Sequence, residues 1–225
     1  MTVRTDGRSA GRYAKCNLGT HVGDEADAVA ANRRALAVNL GVDHIAWLNQ
    51  VHGRDVVRAD KVTRHVATAD ASVTRAAATA CAVMVADCVP VLLAALDGTA
   101  VGAAHAGWRG LADGVINATL TAMAMPAAAI TAWVGPAIGR AHYEVGGEVR
   151  AAFDGADGAC FSASRPGHCR LDLKALAEAQ LRRAGVSRVT VAPYCVYERA
   201  DLFYSYRRDG VTGRCAALIW RTRAQ

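Results

Sequence analysis

Three observations in the sequence predict a mixed α/β fold. The runs Cys81-Ala-Val-Met-Val-Ala86 and Val91-Leu-Leu-Ala-Ala-Leu96 are continuously apolar, as suits short strands buried on both faces. Asp24 to Gly41, Leu111 to Met125 and Leu173 to Ala184 instead repeat their apolar residues at three- and four-residue intervals, as helices do. Several strand candidates also follow one another with no helix between them. That argues for an α+β arrangement with a mixed sheet over a strictly alternating, doubly wound one. With 225 residues, 52% of them hydrophobic and 20% charged, the chain reads as one catalytic domain over residues 1–225.

The elements can be justified in chain order. Asp24 or Asp27 can cap the first helix, and Gly41 ends it. Ile45 to Val51 reads as a strand ending at His52-Gly53, and Val56-Val57 as a short second one. The two apolar runs come next, with Asp87-Cys-Val-Pro90 between them. Asp97-Gly98 is a hairpin turn signal leading into a strand at Thr99–Ala104. The Leu111–Met125 helix follows, its start assigned to Gly110. Ile130 to Val134 is a strand closed by Gly135-Pro136, and Gly146 to Phe153 reads as a helix. Asp172 starts the Leu173–Ala184 helix and Gly185 stops it. Strands at Arg188–Ala192 and Cys215–Trp220 complete the reading.

Composition excludes several function classes. No apolar run reaches the length of a membrane span, and Met1 to Arg8 contains no apolar signal region, so a cytoplasmic protein that does not bind membranes is expected. Seven cysteines, an odd number and widely spread, point to free thiols and not to a disulfide framework. No Cys-x-x-Cys pair marks a zinc finger. The net charge is +6, but the basic residues are dispersed among acids, which suits a solvated surface and not a nucleic-acid interface. Glycine-rich phosphate loops of the Rossmann and Walker kinds are absent. A monomer or small homo-oligomer is expected.

Three segments place a metal ligand or nucleophile directly after an apolar strand: Gln50-Val-His52-Gly53, Ala86-Asp87-Cys88-Val-Pro90 and Ala104-His105-Ala-Gly107. Side chains at the ends of adjacent buried strands tend to meet on one rim of a sheet. Two chemistries suit such a rim. His52, Cys88 and His105 can hold Zn²⁺ with a fourth position left for water or substrate. Alternatively, Cys88 is a thiolate nucleophile and His105 its base, with Asp87 or another group orienting the imidazole. Spacing alone leaves both open, beside the plain reading of a core cysteine and structural histidines.

Other segments carry weaker signals. Asn17-Leu-Gly-Thr-His21-Val-Gly-Asp24 is a glycine-bearing loop before a helix, which makes Asn17 and His21 candidate contacts for an anion or ribose. Phe203-Tyr-Ser-Tyr-Arg207-Arg208 and Thr212-Gly-Arg214 concentrate arginines suited to phosphate, with tyrosines that can stack on a base. His65 and His168 read as surface loop residues, His44 as a strand-edge residue, and His142 as part of a turn or ligand loop after Gly135-Pro-Ala-Ile-Gly139.

Taken in order, these pieces resemble a known family. They are Asn17–Asp24, Asn49-Gln-Val-His-Gly53, Ala86-Asp-Cys-Val-Pro-Val91, Ala104-His-Ala-Gly-Trp-Arg-Gly110, Gly135–Gly139 with Tyr143-Glu-Val-Gly146, and Phe203–Gly210 with Thr212–Arg214. The family is that of the zinc-dependent purine nucleoside phosphorylases, formerly described as multicopper polyphenol oxidases (laccases). The resemblance covers nearly the whole chain. It implies a layered α/β sandwich shared with toxins that deamidate through a Cys-His pair, and a Zn²⁺ site on His52, Cys88 and His105. It implies phosphorolysis of adenosine, inosine and 5'-methylthioadenosine to base and sugar-1-phosphate, together with adenosine deamination. The expected partners are thus a purine nucleoside and phosphate. On this reading Arg207, Arg208 and Arg214 hold phosphate, and Asp87 or Glu198 moves protons. Cu²⁺ can occupy the same donors, since it ranks above zinc in general affinity. A multicopper cluster needs His-x-His pairs, and the chain has none. Departures from the family pattern are Asp6 in place of a glycine and Lys15-Cys16 in place of Ser-Leu. The competing classes are a metal-free Cys88–His105 amide hydrolase and a zinc-stabilised interaction module.

Overall fold

The computed structural model describes residues 1–62, 66–153 and 155–223. Its first strands are β1 (His44–Ala46), β2 (Leu48–Asn49), β3 (Val56–Arg58), β4 (Ala67–Thr68), β5 (Ala71–Thr74), β6 (Thr79–Val85), β7 (Val89–Ala95) and β8 (Val101–Ala106). The later ones are β9 (Ile130–Val134), β10 (Glu144–Gly146), β11 (Phe161–Ala163), β12 (His168–Leu171), β13 (Arg188–Val191) and β14 (Cys215–Ile219). The helices are α1 (Ala26–Leu40), α2 (Trp108–Asp113), α3 (Val115–Met123), α4 (Gly147–Ala151), α5 (Leu173–Arg183) and α6 (Tyr206–Asp209). None is long and apolar enough to cross a membrane, among the described residues.

A six-stranded sheet in the order β13-β9-β7-β8-β5-β3 forms the centre. Its two edge pairings are parallel and its inner pairings antiparallel, so the sheet is mixed as predicted. Helices α3 and α5 cover one face, with Ile116, Leu120 and Leu176 packed against Val91, Leu93 and Ala104. A smaller sheet, β1-β6-β14, covers the other. Between the sheets lie Cys81, Val83, Val101, Ala103 and Ala217, whose short side chains allow close approach. Helix α1 closes the far side through Leu36, Ala37 and Leu40 against Ile45, Ala82 and Leu218. The order helices, sheet, sheet, helix is a layered α/β sandwich. A three-stranded sheet β10-β12-β11 and the pair β2-β4 lie beside it.

The period of two along a strand decides what faces the seam between the sheets. In β8, Ala104 and Ala106 point to the helices and Val101 and Ala103 to the second sheet. His105 is in phase with the latter pair.

Several elements depart from the sequence reading. The strand expected over Ile45–Val51 breaks at Trp47, because β1 pairs with β6 while β2 pairs with β4. The helix expected from Leu111 starts earlier, at Trp108, with Gly107 and not Gly110 as its N-cap. It then breaks at Gly114, where φ is +89°, a left-handed backbone that glycine takes without a steric penalty. Gly146 leaves the predicted Gly146–Phe153 helix to end β10 against β12, and the helix runs only over Gly147–Ala151. His168 opens β12 and is not a loop residue, His44 sits on edge strand β1, and His65 lies outside the described residues. The α5 cap holds as read, with Asp172 accepting from the Ala175 amide at 3.0 Å.

Candidate functional site

Cys88 sits on the short crossing that carries the chain from the small sheet into the large one. The chain leaves β6 at Val85 and begins β7 at Val89. Asp87 makes the bend with φ +101°, outside the usual range for a non-glycine residue. In the β7–β8 register Val89 pairs with Ala106 and Pro90 with His105. Cys88 is therefore brought beside Gly107, and His105, the penultimate residue of β8, is brought to the same seam. His52 arrives on a loop after β2. The Gln50 amide donates to the Met84 carbonyl at 2.9 Å and accepts from the Met84 amide at 2.8 Å, tying that loop to β6. The Asp70 carboxylate accepts the consecutive amides of Val51, His52 and Gly53 at 3.0, 2.9 and 2.8 Å. His52 itself has φ +62°, a strained setting that persists only where surrounding bonds impose it. The three ligand candidates thus meet at a seam between two sheets, and not on the rim of one.

One ligating atom from each of His52, Cys88 and His105 lies within 4.8 Å of the others. Cys88 Sγ and His52 Nε2 are 3.8 Å apart, and the two imidazoles stand edge to face with centroids 4.7 Å apart. His105 Nδ1 meets the Asp70 carboxylate at 2.7 Å, and Asp70 is fully buried. That contact fixes the tautomer and leaves Nε2 of His105 for a ligand. The orienting carboxylate is therefore Asp70 and not Asp87. Burial pushes the Cys88 thiol up, but the charge and hydrogen bond of His105 and the hydrogen bond of His52 outweigh it and hold the group at about 6. Burial pushes His105 down, but the Cys88 charge and the Asp70 contact outweigh it and raise the group to about 9.

The donors suit a metal. Around a tetrahedral zinc, sulfur at about 2.3 Å and nitrogen at about 2.0 Å lie roughly 3.3–3.7 Å from each other, close to the 3.8 Å between Cys88 Sγ and His52 Nε2. Gly107 keeps the cradle open, because a Cβ there would lie 3.0 Å from both Cys88 Sγ and His52 Cδ2. The same geometry also suits a Cys-His pair with an orienting Asp.

A cavity of about 330 Å³ opens over the three residues. It is also lined by His21, Asp87, Arg109, Tyr143, Arg207 and Arg214, with Gln50, Trp108 and Tyr206 completing the wall. Both Asp87 oxygens are engaged, accepting from Ser205 Oγ at 2.5 Å and the Arg207 amide at 2.6 Å. Asp87 thereby holds the start of α6, which carries Arg207; burial raises its carboxyl above the ordinary range. His21 is shifted down by burial and then by the charges of Arg214 and Arg33, which favours its uncharged form. Arg214 lies across Gly19, where a Cβ would come within 2.8 Å of its Cγ.

Three predicted residues do not reach the cavity. Asn17 is fully buried and braces its own loop, binding Gly19, Asp24 and the Arg214 amide. Arg208 turns its guanidinium onto the carbonyls of Val196, Tyr197 and Phe203 and onto Asp209. Asn17 thereby positions Arg214, which does line the cavity. Glu198 pairs with His142 at 3.0 Å on the surface, away from the site.

Over residues 1–222 the chain matches the family described as multi-copper polyphenol oxidoreductase laccase. It belongs to that family. A relative named purine nucleoside phosphorylase PA4543, from Pseudomonas aeruginosa, is 44% identical over 98% of this chain and 91% of its own length. Purine nucleoside phosphorylase YfiH of Escherichia coli is 43% identical over 97% of this chain and 91% of its own. Among solved structures, Neisseria meningitidis protein NMB0706, described as DUF152, superposes with a TM-score of 0.97 at 45% identity, covering 99% of this chain and 93% of that one. YlmD from Geobacillus stearothermophilus gives 0.92 at 34% identity, covering 99% and 90%.

Within this laccase-family chain, sequence reasoning missed Asp70, Gln50 as a tether and Tyr143 as a cavity wall, whereas Tyr206 belongs to the stretch whose tyrosines were read as able to stack on a base. Asp70 carried one signal: it is a lone acid in Ala67-Thr-Ala-Asp-Ala-Ser-Val73, flanked by small residues with no turn chemistry. An acid in such a stretch becomes buried and must find donors.

Proposed function

We propose that the chain is a purine nucleoside phosphorylase that also deaminates adenosine, working at a Zn²⁺ centre held by His52, Cys88 and His105. The observation that carries this reading is the convergence of two imidazoles and one lowered thiol at the floor of a cavity walled by arginines and aromatic rings. The names of relatives at 43% and 44% identity support the reaction class.

When bound, the metal supplies Lewis acidity at an open coordination position and makes a bound water easier to ionise. The chain's residues do the rest. Asp70 locks the His105 ring and, through three amides, the backbone of the His52 loop. Tyr143, Tyr206 and Trp108 offer ring faces and edges to a purine. Arg207 and Arg214 bring guanidinium groups to the same space and hold phosphate, as planar donor forks do. In phosphorolysis a phosphate oxygen bonds to the sugar C1', and the glycosidic electron pair leaves with the purine, which takes up a proton. In deamination water adds at purine C6 and ammonia departs.

A second reading is favoured by one contact. The Asp70–His105 bond at 2.7 Å beside a thiol held at about 6 is the arrangement of a Cys-His nucleophile with an orienting acid. It gives His52 no role, whereas the metal reading uses all three residues. The experiment that separates them incubates the protein with adenosine and phosphate, with and without a chelator. Adenine with ribose-1-phosphate, and inosine, both lost on chelation, are expected. Full turnover after chelation, or by a Cys88→Ser protein, would overturn the phosphorylase reading.

A further inference from the structure

We infer that the chain carries a second transition-metal site, built from His142, Cys195 and Glu198, which clasps two segments behind the cavity wall. One ligating atom of each residue lies within 4.8 Å of the others. The donors are an imidazole, a thiol and a carboxylate, the mixture that zinc and its neighbours bind.

Local structure explains the convergence. The Arg199 amide donates to the Cys195 carbonyl at 3.1 Å, closing one helical turn, so Cys195 and Glu198 lie on the same side of it. An isolated parallel bridge joins Cys195 to Ala137, which sets this turn against the Gly139–His142 turn. His142 is held from two directions, with one nitrogen 3.0 Å from the Glu198 carboxylate and its ring stacked on Tyr197 at 4.2 Å and 10°. Cys195 is nearly buried, and its sulfur accepts the Gly139 amide at 3.2 Å. Outer amide bonds of this kind orient a thiolate ligand. Gly139 is needed for that approach, since a Cβ there would lie 3.1 Å from the sulfur.

The site also has a structural reach. Arg208 donates to the carbonyls of Val196 and Tyr197, inside the Cys195–Glu198 turn, and Arg208 adjoins Arg207 on α6. Tyr143, which lines the cavity, follows His142 directly. A metal here would fix the 139–143 and 195–199 segments to each other and steady two elements of the cavity wall.

The test is made in the full-length Cys88→Ser protein, so that it stands apart from the His52–Cys88–His105 reading. Co²⁺ is titrated in and the thiolate-to-metal absorption band followed. One equivalent is expected to bind with that band, and Cys195→Ser in the same background to abolish it. Glu198→Gln, a surface change, is expected to weaken binding by about 10-fold or more. Zn²⁺ at roughly a hundredfold excess over its Kd should raise Tm by about 5–10 °C in Cys88→Ser and not in the double variant. No Co²⁺ band in Cys88→Ser, or a band and a Tm rise that survive Cys195→Ser, would overturn the proposal.

Discussion

Gly107→Ala tests whether the three converging residues work through their spacing. Gly107 has φ −72° and ψ 164°, an ordinary extended conformation that alanine adopts freely. The change therefore brings no backbone strain, and its cost is the volume of one methyl. That methyl would stand 3.0 Å from Cys88 Sγ and from His52 Cδ2, where carbon contacts prefer about 3.5–4.0 Å. One or both ligands must move by roughly 0.5–1 Å. Displacements of about 1 Å near reacting groups cost on the order of 100-fold in rate. Because Gly107 is also the N-cap of α2, replacement by alanine adds a stability cost of about 0.5–1 kcal/mol. Zn²⁺ affinity by competitive chelation, turnover of adenosine with phosphate, and Tm should be measured together. The expected pattern is zinc affinity down by at least 10-fold, turnover down by about 100-fold, and Tm lower by about 1–4 °C. A variant that binds zinc and turns over like the parent would refute the idea that these ligands act as a set held open by a missing side chain.

Asp70→Asn keeps the shape but removes the charge that four donors share. Unfolding in urea should show a loss of about 2–4 kcal/mol, and zinc affinity should drop by about 10–100-fold; unchanged affinity would mean that His105 needs no orienting acid. Arg214→Ala should raise the KM for phosphate by about 10-fold or more, whereas Arg208→Ala, which removes bonds to three carbonyls, should mainly lower Tm. The opposite allocation, read from steady-state kinetics and melting curves, would reverse the roles given to the two arginines. In metal-free protein the Cys88 thiol, held at about 6, should be alkylated by iodoacetamide at a rate that is flat above pH 7 and falls through pH 6. The sign follows from the lowering: the thiolate is present above the shifted value and is lost as protons are added below it. An ordinary cysteine loses its rate below about pH 8.5, and a profile of that kind would contradict the assignment. Burial pushes Cys81 and Cys215 up to about 12 and about 11, so neither competes in this range.

By itself the sequence determined the elements, the mixed α/β class and the ligand candidates. Apolar runs and helical periods are local properties, so β6, β7, β9, α1 and α5 could be read within a residue or two. His52, Cys88 and His105, each directly after an apolar run, stood out for the same reason. Motifs along most of the chain also carried the resemblance to the family. Tertiary structure alone decided how these pieces meet. Cys88 looked like the end of one strand, but the chain changes sheets there, so the site lies in a seam that no local pattern marks. Asp70 lies 35 residues from His105, and only the β5–β8 pairing places it beneath that ring. Arg207 and Arg208 are neighbours with the same chemistry, yet one lines the cavity and the other braces carbonyls. Direction on a single helical turn separates them, and a residue's direction is fixed by what the rest of the fold packs against it.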